Sequence, residues 1–120
     1  MKHKQYNLEK IKDIAQGDQA FIEDMLVTFV ENVSDDVEKI KSLRLQEDWK
    51  AIAEIAHRLA SRFAYLNADS LYALSADIEE SVLSEHNLTG IAEKADMLCA
   101  LSVSMIEELR KDFTIFITKN

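Results

Sequence analysis

Proline is absent from all 120 residues, and glycine occurs only at Gly17 and Gly90. Sheets need frequent turns, and tight turns draw heavily on Gly and Pro. A chain this poor in both is restricted to long elements with few breaks between them. The residues that dominate it, Leu, Ala, Ile, Glu, Lys and Asp, mostly suit helices. An all-α fold is therefore expected. The length fits one domain, residues 1–120, with a core over about residues 7–113 that needs neither disulfide nor metal.

The apolar residues are spaced as helices require. A short first helix, with Asn7 as a possible cap, carries Leu8, Ile11 and Ile14 on one face and ends at Gly17. Asp18 is a good N-cap for a second helix whose stripe is Phe21, Ile22, Met25, Leu26, Phe29, Val30, Val33, Val37 and Ile40. After a polar break at Gln46–Asp48, a third helix presents Trp49, Ile52, Ile55, Ala56, Leu59, Phe63 and Leu66. Asn67 to Asp69 reads as a turn, with Asp69 as a possible cap. A fourth helix carries Leu71, Leu74, Ile78 and Val82. A break over Ser84–Gly90 precedes a last helix through Ile91, Ala95, Leu98, Leu101, Met105, Ile106, Leu109 and Phe113, extended here into Thr114–Thr118. Four long helices with short connections imply an antiparallel up-down four-helix bundle, with the short extra N-terminal helix covering one end.

The net charge is −8. Nucleic-acid binding is disfavoured, because a phosphate backbone calls for a basic surface. An anionic membrane surface is disfavoured for the same reason. No apolar run has the length of a membrane span. A lone Cys99 forms no internal disulfide, which suits a reducing cytoplasm. A monomer is the default at this size.

Of three histidines, His3 lies in a basic tail and His86 in a predicted loop. His57 differs. Residues on a helix turn by about 100° each, so the third helix's apolar residues cluster within about 60° of Ile52, and His57 falls about 140° away. Its neighbours one and two turns off are Ala53, Ala60, Ser61 and Ala64, all small. An imidazole there projects from a low patch that a second protein can approach. Neutral imidazole is a nucleophile near physiological pH and can hold a phosphoryl group as a phosphoramidate. Lys50, Arg58 and Arg62 lie on either side of this patch and add positive potential to an acidic chain. Against this stands a plain alternative, since most solvated helical histidines do nothing more than face water.

The run Ala56-His57-Arg58-Leu59-Ala60-Ser61-Arg62-Phe63-Ala64-Tyr65-Leu66-Asn67-Ala68-Asp69-Ser70-Leu71 resembles the signature of histidine-containing phosphotransfer (Hpt) domains. That signature is Ala-His-x-Leu-Lys-Gly, small residues, Leu-Gly-Ala and a further Leu. Ala56, His57, Leu59, Leu66, Ala68 and Leu71 match in register. Leu74, Ile78 and Glu79 sit where the family has leucines and a glutamate, and Phe21, Met25, Leu26 and Phe29 resemble its second helix. The resemblance implies a four-helix bundle that carries a phosphoryl group on Nε2 of His57. It implies docking to receiver domains of response regulators or hybrid kinases, with magnesium in the receiver and no cofactor in this chain. Ala60 stands where the family has lysine, Ser61 where it has glycine, and Asn67 where it has another glycine. Ser61 keeps a small side chain with a hydroxyl able to meet phosphoryl oxygens, and Asn67 tolerates left-handed backbone.

The expected function is thus a phosphorelay carrier with no stand-alone catalysis. Two alternatives stay open: a binding module that docks a receiver or kinase without transfer, and a helical scaffold in which His57 is incidental. Glu54 and His57 have di-iron ligand spacing, but such a site needs a second copy of the motif, and none occurs. Cys99 reads as a core thiol and Trp49 as a core anchor. Tyr65 and Tyr72 read as core or half-exposed packing, and Asp77, Glu79 and Glu80 as a solvated acidic face.

Overall fold

The structure, a computed structural model, describes residues 5–85 and 88–113. His3, His86 and the tail Thr114–Thr118 fall outside the described residues. The elements are α1 (Glu9–Ala15), α2 (Gln19–Gln46), α3 (Trp49–Tyr65), α4 (Asp69–Leu83), a short 3₁₀ turn (Leu88–Gly90) and α5 (Ile91–Asp112). No strand occurs among the described residues.

Local chemistry sets the breaks. Gly17 (φ 86°) follows α1 in the left-handed region, where a Cβ is costly. The Asp18 carboxylate then accepts the Phe21 amide and starts α2. Asp48 does the same for α3 by accepting from Ala51. Two further turns close as Schellman motifs. Glu47 (φ 56°) ends α2, with the Asp48 amide donating to the Leu43 carbonyl. Asn67 (φ 51°) ends α3, with the Ala68 amide donating to Phe63. The fourth helix differs from expectation here: Ala68 occupies its cap position, and Asp69 lies within its first turn, where a carboxylate meets the helix dipole.

These short turns make α2 to α5 run up and down. Each long helix packs on two neighbours, α2 on α3 and α5, and α4 on α3 and α5, so the ring closes. At about 1.5 Å per residue, the 28 residues of α2 account for the 44 Å long axis. Leu26, Val33, Ile40, Ile52, Leu59, Phe63, Leu66, Ile78, Leu98, Met105 and Leu109 are fully or almost fully buried along the axis. Phe29 meets Phe63 edge to face at 6.1 Å between ring centroids. Trp49 packs against this core from its margin, and Cys99 is buried.

The N-terminal segment straps one end. The Asn7 amide donates to the Leu66 carbonyl at 2.9 Å, and Asn67 donates to the Asn7 side chain at 2.7 Å. The Tyr6 hydroxyl donates to Asp112 of α5. Asn7 is not the expected cap: Leu8 holds that position in α1, and Asn7, one residue earlier, takes the Glu9 amide on its Oδ1. Ile14 and Phe21, expected on buried stripes, are exposed. Ala15 beyond Ile14 and Ile22 beside Phe21 are buried, so the cause is angular: at about 100° per residue each exposed side chain is turned off the buried line of its helix. Tyr65 and Tyr72 are half-exposed.

Candidate functional site

α3 is covered on one flank by α4 and on the other by α2. His57 stands at the edge of the α4 flank. Its side chain is 70 % exposed, and its Nδ1 lies 2.8 Å from Oε2 of Glu79, whose own side chain is 28 % exposed. The tight α3–α4 turn explains the meeting. In an antiparallel hairpin, residues equally far from the turn lie level, and Ala68 in that turn is midway between 57 and 79. The same rule sets Ala53 level with Leu83 and Glu54 level with Val82.

This pairing fixes the ring's chemistry. A carboxylate accepts only, so Nδ1 carries the proton and donates it. In the neutral ring the lone pair then belongs to Nε2. No described group lies within hydrogen-bond distance of Nε2. The nucleophilic nitrogen is thus the outer one, turned to water, and any positive charge that develops on the ring sits against Glu79.

The residues expected around His57 divide into three groups. Lys50 and Ala53 line one groove with it, of about 310 Å³, together with Glu54, Glu79, Val82 and Leu83. Ala53 and Ala60 are buried, so they form the floor of the α3–α4 seam rather than an open patch. Ser61 is exposed and Ala64 half-buried on the side toward α1.

Arg58 and Arg62 face away from the ring and toward α2, where an unforeseen partner awaits them. Asp36 is buried, with a side chain only 4 % exposed, and Arg58 donates to its Oδ1 at 2.8 Å while Nε of Arg62 lies 3.6 Å from its Oδ2. A buried carboxylate needs this compensation. The guanidinium of Arg58 is held above its ordinary pKa, chiefly by that hydrogen bond. Neither arginine is placed as a charge partner of His57. They border a second groove of about 350 Å³ with Ile11, Met25, Phe29, Ser61 and Tyr65.

Sequence reasoning passed over Glu79 and Asp36. It took Glu79 for part of a solvated acidic face, yet its equal distance from the turn was a readable signal. Asp77 of the same face is also engaged, 2.7 Å from Lys94. Asp36 follows Val33 and precedes Val37 on the buried stripe, which was the signal that it lies inside. No cluster of three or more metal-ligating side chains occurs among the described residues. No described helix is long and apolar enough to cross a membrane.

Comparison with known proteins bears on the same stretch. The model of the Hpt domain matches residues 24–112, which include most of α2 and all of α3, α4 and α5. The virulence sensor protein BvgS of Bordetella pertussis is 26 % identical over 109 residues, covering 88 % of this chain and 9 % of that protein. BvgS of Bordetella bronchiseptica is 27 % identical over 75 residues, covering 62 % of this chain and 6 % of that protein. The chain thus spans less than a tenth of the length of these curated relatives. No solved structure gives a significant match. With its family model covering well over half of its length, and with a four-helix bundle beneath it, this chain belongs to the Hpt domain family.

Proposed function

We propose that the chain is a phosphorelay carrier that accepts a phosphoryl group on Nε2 of His57 and passes it on. The observation that carries this reading is the His57–Glu79 pair, which leaves Nε2 bare, basic and facing water. In acceptance, the Nε2 lone pair attacks the phosphorus of an aspartyl phosphate on a receiver domain. The P–O bond to the aspartate breaks, its electrons leave with the carboxylate, and an N–P bond forms. The ring becomes an imidazolium that keeps its Nδ1 proton against Glu79, so no proton has to depart. Donation is the reverse: a receiver aspartate attacks phosphorus and the N–P electrons return to Nε2.

Family membership supports a receiver of a response regulator or hybrid kinase as the partner. Likeness to sensor proteins supports a place in a sensory relay. The groove that His57 lines offers such a partner an apolar wall of Val82 and Leu83, and a second groove on the α2 flank of α3 adds Met25 and Tyr65. The receiver brings the magnesium, and this chain supplies nucleophile and docking face alone. A buried, unoxidised Cys99 suits the cytoplasm.

The test is to incubate the protein with a phosphorylated receiver and magnesium. Acid-labile label is expected on the wild type and none on His57→Gln. A wild type that binds the receiver yet never takes label would instead establish a docking module, the reading that Ala60 favours by removing the family lysine.

A further inference from the structure

A phosphoryl group on Nε2 brings up to two negative charges to an acidic surface, and the usual compensating lysine is missing at Ala60. Arg58 and Arg62 are committed to Asp36 on the opposite flank of α3. One cation shares a groove with the ring. Lys50 lines it beside His57, Glu54, Val82 and Leu83, and among the described residues none is ion-paired or hydrogen-bonded to its ammonium.

We infer that Lys50 neutralises the phosphoryl group on His57, gripping it over the α3–α4 groove from the side opposite Ala60. This rests on the reading that His57 is the phosphorylated residue. Lys50 lies two turns before His57, about 10.5 Å along the helix, on nearly the same face. Helical side chains tilt toward the N-terminus, so the imidazole leans toward Lys50, while the lysine stem starts out away from the ring and has to turn back along the groove to meet it. The ring with its phosphoryl group from one side and a four-carbon stem from the other bridge that gap. Val82 and Leu83 line the same groove and give the lysine stem an apolar wall to follow as its ammonium reaches the oxygens. The other charges facing the phosphoryl group are Glu54 on α3 and Glu79 on α4, both repulsive. Lys50 is therefore the one cation lining this groove among the described residues, and its loss leaves the phosphoryl group facing carboxylates alone.

Inorganic phosphoramidate tests this without a receiver. Nε2 attacks the phosphorus of the N-protonated reagent, an N–P bond forms, and the P–NH3+ bond breaks with its electron pair leaving on nitrogen, so ammonia departs. Labelling is followed by ³¹P NMR on the full chain. Lys50→Gln is expected to label about fivefold more slowly, the effect of about 1 kcal/mol on a barrier. The ³¹P titration of the bound phosphoryl group should also move to higher pH, because a cation favours the dianion. Lys39→Gln, the same charge change at an exposed residue of α2, should alter neither. The double variant Lys50→Gln with Ala60→Lys should regain rate and midpoint by restoring a cation from the other side. If Lys50→Gln matches the wild type in both readouts, the role of Lys50 is overturned while the carrier stands. If the wild type takes no label on His57, the carrier reading fails, and the role of Lys50 with it.

Discussion

At the scale of single residues, the chemistry turns on one carboxylate choosing a tautomer. His57 was legible because its helical angle and its small neighbours are sequence properties. Glu79 was harder, because its partner lies across a turn and only the hairpin register joins them. His57 is mostly exposed and Glu79 mostly covered, and a pair so open to water on one side contributes about 0.5–1 kcal/mol. Replacing Glu79 with Ala should slow phosphoryl acceptance about two- to fivefold. Loss of packing alone would leave the ring's tautomer unchanged. Side-chain ¹⁵N shifts of neutral His57 should instead show a mixture in Glu79→Ala and a single Nδ1–H form in the wild type. An unmixed ring in the variant would remove the positioning role.

At the scale of elements, the helices were readable and their mutual polar contacts were not. Periodicity gave the buried stripes from Ile22 to Ile40 and from Ile52 to Leu66, because burial against neighbours is what the spacing encodes. It misplaced Ile14 and Phe21, since steps of three and four admit residues at the edge of a stripe, and only the packing shows how wide the covered face is. Helical position also left Arg58 and Arg62 as sources of positive potential beside His57, since only the α2–α3 packing shows that Asp36 claims them. Asp36→Ala should therefore destabilise the fold by about 2 kcal/mol, less than the full penalty for a stranded buried charge because Arg58 can turn to water. Phe63→Ala, which removes a fully buried ring and its contact with Phe29, should cost about 3–5 kcal/mol. Urea unfolding followed by circular dichroism measures both. A stable Asp36→Ala would show that the α2–α3 clasp is dispensable.

At the scale of the whole molecule, the bundle is a stand that presents one ring, and its packing holds two groups that resist ionisation. Burial pushes the Cys99 thiol up from 9.0 to about 11. Burial and the hydrogen bond to Asp112 raise the Tyr6 phenol above its usual range. The unfolded chain loses these protons first as pH rises, so stability should fall through pH 9 to 11 and stay flat with respect to these groups below pH 8. Thermal melts across that range check the sign. Docking is also a whole-molecule property. Ser61→Trp puts bulk on the exposed side of α3, so it should block labelling by a phosphorylated receiver yet leave labelling by phosphoramidate intact. Equal loss with both donors would place the damage at the ring itself. The most direct test of the account is to locate the phosphoryl group by long-range ¹H–¹⁵N correlation in the phosphorylated protein. A single N–P linkage at Nε2 of His57 is the predicted result, and phosphorylation at its Nδ1 or on any other residue would contradict it.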